Sequence, residues 1–261
     1  MKIGFFDSGL GGLTVMKAVI QLLPWYDYSF YGDTLHVPYG DKTEEEIYEL
    51  TKGGVEHLFE EDCVLVIIAC NTASAETLRK LQDTFLADEY PDRKILGVII
   101  PMVEEVVACH AKRALLIATT RTVNSQKYER EFEKIKNAPE LFSLATPTLT
   151  PLIEAGKIDE ALAFVYPIID ELLEKGGESL ILGCTHYALL REGIVERYKE
   201  QLMVFSQDQI IPQKIYHYLE VHPEIKNLLT QDGTRNIHLT KHTNAYDHLL
   251  SSLLGGHFIS D

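Results

Sequence analysis

Apolar residues in this chain come in short uninterrupted runs. Residues 2–6, 28–33, 64–68, 94–100, 114–118, 179–183 and 203–206 are each built mainly from Val, Ile, Leu, Phe and Tyr. Runs of this length read as strands covered on both faces, the pattern of a parallel sheet. Between them lie mixed polar and apolar stretches that read as helices. Thr43-Glu44-Glu45-Glu46 supplies a cap and an acidic first turn for a helix ending near Glu61-Asp62. Gly176-Gly177 stops another. Residues 208–219 form a further helix, and a short strand at 237–240 and a helix at 245–250 close the chain. Pro101 is expected to end the strand at 94–100. No linker rich in Pro, Ser or Gly interrupts the βα order. The pattern predicts two similar halves packed directly, with a cleft between them.

Two strand ends carry unusual chemistry. The run 64–68 leads into Ala69-Cys70-Asn71-Thr72-Ala73-Ser74, and Thr72 or Ser74 is expected to cap a helix from Ala75 to Leu81. The run 179–183 leads into Cys184-Thr185-His186-Tyr187, with a helix beginning near Ala188. Each turn presents one cysteine where a strand meets a helix N-terminus, the place where ligands bind in open α/β sheets. A helix N-terminus also favours anions, so it lowers a thiol's pKa and attracts a carboxylate.

Composition narrows the partners. The chain has 261 residues, of which 46% are hydrophobic and 24% charged, with a formal net charge of −15. Such an acidic chain is a poor match for nucleic acid, whose phosphates need a basic surface. A small anion held by backbone amides remains compatible. No run approaches the roughly 20 apolar residues of a membrane span, and Met1 leads straight into the first strand without a signal peptide. Four cysteines (Cys63, Cys70, Cys109, Cys184) without a secretory signal point to free thiols in the cytoplasm.

The first strand ends in Asp7-Ser8-Gly9-Leu10-Gly11-Gly12. The spacing is not that of a dinucleotide loop, and Asp7 would oppose a pyrophosphate. An acid beside bare amides suits a ligand carrying an ammonium; a plain capping role for Asp7 is the alternative. Thr119, Thr120, Thr122 and Ser125 form either an anion cradle or the cap of the next helix. Cys184 and His186 are two residues apart, but no CxxC pair supports a metal site. Cys63 and Cys109 read as small buried hydrophobes. Cys70 and Cys184, facing each other, suit one specific chemistry. One thiolate removes a proton from a carbon, and the other thiol returns a proton to the opposite face. Thiols range from about 8.5 down to about 3.5–7.5 in tuned sites, which suits acid–base work near neutrality. Asp7 is placed to tune Cys70, and His186 or Glu154 to tune Cys184.

The segments GFFDSGLGGLTV (4–15), YGDT…VPYG (31–40), ACNTASA (69–75), TTRTVNSQKY (119–128), PLIEAG (151–156) and LGCTHY (182–187) together resemble the cofactor-independent glutamate racemases, over essentially the whole chain. The related aspartate racemases share the two-cysteine plan but match the DSGLGG and PYG segments less well. The resemblance implies an α/β fold of two Rossmann-like (flavodoxin-like) lobes, each with a mostly parallel sheet. The lobes would be related by a pseudo-two-fold axis, with the active site in their cleft. It divides the chain into 1–97 plus 208–261, carrying Cys70, and 98–207, carrying Cys184. It implies that Cys70 exchanges the proton of D-glutamate and Cys184 that of L-glutamate, with Asp7 assisting the first and Glu154 and His186 the second. Substrate contacts would come from Asp7, Ser8, Tyr39, Gly40, Asn71, Thr72, Thr119, Thr122, Thr185 and His186. It implies no cofactor and no metal, a homodimer, and D-glutamate made for peptidoglycan. Leu35, His36, Thr146, Thr148 and Ala188 depart from the family's usual pattern. A racemase for aspartate or another acidic amino acid, and a non-catalytic amino-acid sensor, are the competing readings.

Overall fold

The structure is a computed structural model and describes residues 1–243 and the backbone of 259–260. The helix expected at 245–250 lies outside the described residues. The first half runs β1 (Lys2–Asp7), α1 (Gly12–Leu22), β2 (Tyr28–Gly32), α2 (Glu44–Glu60), β3 (Cys63–Ile68), α3 (Asn71–Leu81), α4 (Ala87–Glu89), β4 (Lys94–Gly97) and α5 (Ile99–Ala108). The second runs β5 (Arg113–Ala118), α6 (Thr120–Asn124), α7 (Lys127–Glu133), β6 (Glu140–Ala145), α8 (Leu149–Glu154), α9 (Ile158–Glu174), β7 (Ser179–Gly183), α10 (Arg191–Tyr198) and β8 (Met203–Phe205). The chain then continues as α11 (Gln207–Val221), α12 (Pro223–Lys226), β9 (Arg235–Leu239) and β10 (Ile259–Ser260).

Two all-parallel sheets result, ordered β10-β9-β2-β1-β3-β4 and β6-β5-β7-β8. The chain therefore returns to its first lobe, where β9 pairs with β2. Alternate residues of each strand feed opposite cores. Phe5, Leu65 and Ile67 meet Leu13, Val15 and Met16 on one face of the first sheet, together with Ile211, Ile215 and Leu219 of α11. Phe6, Val66 and Ile68 meet Ile47, Val55 and Leu58 of α2 on the other. The second sheet repeats the plan, with Ile117, Leu180 and Leu182 on one side and Leu116, Ala118 and Ile181 on the other. Helices on both faces bury β3 and β7 completely, and β1 and β5 beyond their first residue, which is why those strands read as unbroken apolar runs. Among the described residues, no helix is long and apolar enough to cross a membrane.

Local signals at the helix ends were mostly direct. Thr43 and Glu46 form a reciprocal capping box at α2. Gly176 adopts a left-handed φ of 73° after α9, a conformation that costs glycine nothing. Two expectations need correction, and one strand is new. The strand at 94–100 stops at Gly97, and Pro101 lies in the first turn of α5, where a missing N–H leaves no bond unmade. The residues 140–145 form a strand that the apolar runs did not announce. Cys109 is exposed, because it sits at the C-terminal end of α5 where the chain turns out through His110.

Candidate active site

The C-terminal ends of β1, β3, β5 and β7 converge on a cleft of about 330 Å³. Its lining includes Ser8, Tyr39, Gly40, Cys70, Asn71 and Thr72 from the first lobe, and Thr119, Glu154, Cys184, Thr185 and His186 from the second. Both thiols are free and nearly buried, with 6% exposure at Cys70 and 7% at Cys184.

The two turns are not equivalent. Cys70 is itself the N-cap of α3, and its Sγ accepts the Ala73 N–H at 3.4 Å. Thr72 and Ser74 already lie inside the helix, so neither is the cap that the polar run suggested. Ser8 Oγ stands 3.2 Å from Cys70 Sγ. Despite the helix N-terminus, the Cys70 thiol is pushed up to about 12: burial is the main cause, and the charge of Asp7 adds to it. The helix alone would lower it, so desolvation decides. Cys184 is followed by a 3₁₀ segment over Thr185–Leu190, and α10 begins only at Arg191. Its sulfur lies 3.8 Å from His186 Nδ1 and 3.9 Å from Thr150 Oγ1.

His186 is tied to the end of α8, its Nε2 3.1 Å from Glu154 Oε1. Burial works against a charged imidazole, but Cys184 and Glu154 outweigh it and hold His186 well above its ordinary range. Asp7 is fully buried. Its Oδ1 accepts the Gly9 N–H at 2.9 Å and its Oδ2 the Thr185 hydroxyl at 3.2 Å, so it caps the glycine turn and also bridges the lobes. Burial raises its pKa, opposed by His186 and these donors.

The glycine turn has a packing reason. Gly11 has an ordinary backbone, but a Cβ there would overlap Thr185 Oγ1 and lie 2.8 Å from His186 Nδ1. The turn is bare because the second lobe's site loop rests on it.

Of the remaining expected residues, Tyr39, Gly40, Thr72 and Thr119 line the cleft, while Thr122 is fully buried and does not. Tyr39 donates to Asp33 Oδ2 at 2.7 Å, while Asp33 Oδ1 takes His36 Nδ1 at 2.7 Å and Thr240 Oγ1 at 2.9 Å. That network fixes the loop carrying Tyr39 and Gly40. Thr72, Thr119 and Thr122 form a triangle of hydroxyls with edges of 2.9, 3.2 and 3.0 Å across the lobe boundary. Thr119 also caps α6 by accepting the Thr122 N–H, so cap and cleft wall are one residue. Thr146 is buried with its hydroxyl 3.0 Å from Tyr187 OH, so this departure is satisfied. Thr150, Tyr128 and Gln207 were missed: Thr150 lies in a proline-rich stretch, and the other two are remote in sequence from either cysteine.

The family model described as Asp/Glu/Hydantoin racemase matches residues 35–206. A curated glutamate racemase from Dinoroseobacter shibae is 36% identical over 246 residues, covering 89% of this chain and 89% of that one. In three dimensions the chain is similar to a glutamate racemase isoform from Bacillus anthracis, with a TM-score of 0.87 and 28% identity over 100% of this chain and 96% of that one. It is similar also to a glutamate racemase from Francisella tularensis solved in complex with D-glutamate, with a TM-score of 0.82 and 26% identity over 99% and 95% of the two chains. The chain belongs to the Asp/Glu/Hydantoin racemase family.

Proposed function

We propose that the protein interconverts L- and D-glutamate by exchanging the Cα proton between two thiols. The observation that carries this reading is the placement of Cys70 and Cys184, both buried, at strand ends of different lobes in one cleft. One thiolate takes the α-proton: a C–H bond breaks and an S–H bond forms. The opposing thiol gives its proton to the other face and becomes the thiolate, so the configuration inverts and the protons balance. The charges around the cleft support a division of labour. Cys70, pushed up to about 12, is a thiol at neutral pH and suits the acid role. The His186 cation beside Cys184 stabilises negative charge there, which suits the base role. That pattern fits L-glutamate as the entering substrate; D-glutamate is turned over from the reverse arrangement.

Asp7 supplies a buried carboxylate for the substrate ammonium, and Glu154 holds the His186 cation. Ser8, Tyr39, Gly40, Asn71, Thr72, Thr119 and Thr185 supply the hydroxyls and amides for the two carboxylates, and Thr122 holds the Thr72 and Thr119 hydroxyls in place. Donors fixed before the reaction stabilise the carbanion without reorganising. Every proton-transfer group in this route comes from the chain itself. The relatives named glutamate racemase support glutamate as substrate. We assign residues 1–97 with 208–261 to the Cys70 lobe and 98–207 to the Cys184 lobe. A cytoplasmic homodimer feeding D-glutamate to peptidoglycan completes the reading.

The test is circular dichroism of L-glutamate with the protein in D₂O, followed by mass analysis. Decay of the signal toward zero with one deuterium gained at Cα is expected. A flat signal with glutamate and decay with aspartate would replace the substrate; inertness toward both would overturn the racemase reading.

A further inference from the structure

Asn71 follows Cys70 directly, lines the cleft, and is only 2% exposed. Its Oδ1 accepts two hydrogen bonds, one from Tyr128 OH at 2.8 Å and one from Gln207 Nε2 at 3.1 Å. Both donors come from outside the first sheet's helices α1–α3. Tyr128 lies on α7 beneath the second sheet, and Gln207 opens α11. Both are fully buried. Burial raises the Tyr128 hydroxyl's pKa, so it stays a neutral donor. An amide oxygen has two lone pairs, and here both are used. Turning the Asn71 amide alone would set its N–H groups against the Gln207 N–H. In this arrangement the other end, Nδ2, is buried with no partner in the protein, as is Gln207 Oε1. A buried donor without a partner is costly unless a ligand completes it.

We propose that Tyr128 and Gln207 are positioning residues: they clamp the Asn71 amide so that its Nδ2–H₂ is reserved for a substrate carboxylate next to Cys70. The inference deepens the glutamate racemase reading and rests on it. It explains why a tyrosine and a glutamine remote in sequence from both thiols are buried with one donor each on the same oxygen. Neither touches a reacting atom, so both act through Asn71.

The experiment is a double-mutant cycle. Tyr128→Phe and Gln207→Met are each made in the wild type and in Asn71→Ala, and KM, kcat and D-glutamate binding by calorimetry are measured. In the wild-type background each substitution is expected to raise KM and Kd about threefold to tenfold, the scale of one hydrogen bond, with a smaller change in kcat. In the Asn71→Ala background neither is expected to raise them further. A purely structural role predicts the same change in both backgrounds, and that result overturns the proposal, as does an unchanged KM in the wild-type background. If Tyr128→Phe does not fold, the Gln207→Met arm decides alone. A wild-type protein that neither binds nor turns over glutamate removes the racemase reading and this inference with it. An active wild type with additive effects removes only the clamp.

Discussion

Replacing His186 by asparagine removes the cation between the second thiol and Glu154 while keeping a polar side chain. His186 Nδ1 lies 3.8 Å from Cys184 Sγ, and its Nε2 lies 3.1 Å from Glu154. Opposite unit charges about 4 Å apart attract by about 4 kcal/mol at an effective dielectric of about 20. At roughly 1.4 kcal/mol per tenfold, that sets a ceiling of about 10³-fold on the charge stabilisation lost at Cys184. Glu154 is 44% exposed and shares the same cation, so solvent and the carboxylate take part of the effect. The expected fall in kcat/KM at pH 8 is about 10²-fold. L- and D-glutamate have equal free energies, so the equilibrium constant is unity and kcat/KM must fall equally in both directions. Any asymmetry is confined to kcat, with the larger loss for L-glutamate, whose proton we propose that Cys184 removes. Circular dichroism followed from each enantiomer over a range of concentrations measures all four constants. A fall of less than about threefold would refute the electrostatic role argued from the contact distance. Equal losses of kcat in both directions would refute Cys184 as the base on the L side.

Cys70→Ser and Cys184→Ser should each abolish racemisation without changing the far-ultraviolet spectrum; full turnover in either variant sinks the two-thiol route. Asp7→Asn should lower turnover yet raise Tm at pH 7. Burial lifts the folded pKa of Asp7 above its unfolded value, so the folded state's tighter hold on that proton stabilises at low pH and is lost as pH rises through the lifted value. At pH 7, above the unfolded value, the raised pKa is a net cost to the folded state, and calorimetry showing no rise in Tm would contradict this. With its thiol at about 12, Cys70 should react with iodoacetamide about tenfold faster per pH unit from pH 7 to 9, without a plateau; peptide mass analysis showing a plateau near pH 8 would mean the helix N-terminus outweighs burial. Gly11→Ala should cost about 1–3 kcal/mol of stability by overpacking and a larger share of activity, because the added carbon meets Thr185 and His186; wild-type kcat/KM would show that the lobes do not close on that turn.

What could be read in the sequence, and what could not, divides along the range of the interactions. The central strands were legible because both faces are covered, so every residue of Val64–Ile68 is apolar. The strand Glu140–Ala145 was not, because it is the edge of the second sheet, and its alternately half-exposed residues leave no unbroken run. Both cysteines were legible as strand-end residues, since their places depend on local chain order alone. The protonation of Cys70 was not. The rule that a helix N-terminus lowers a thiol's pKa acts over one turn, and Cys70 does sit on such a terminus. Its thiol moves the other way because packing with residues such as Phe6 and Tyr39 buries it and Asp7 lies beside it, 63 positions away in the chain. Cys184 lacks the α-helical turn altogether and meets instead a histidine whose charge is held by Glu154, a residue of another helix. The two turns look alike as text and differ as electrostatic sites. That difference suits the reaction: a proton crosses the cleft only if one side starts as acid and the other as base. Two matched thiols would hold their protons equally. On the proposed two-thiol route, the unlike neighbours of Cys70 and Cys184 supply the bias, and the substrate's two faces decide which of them is used first.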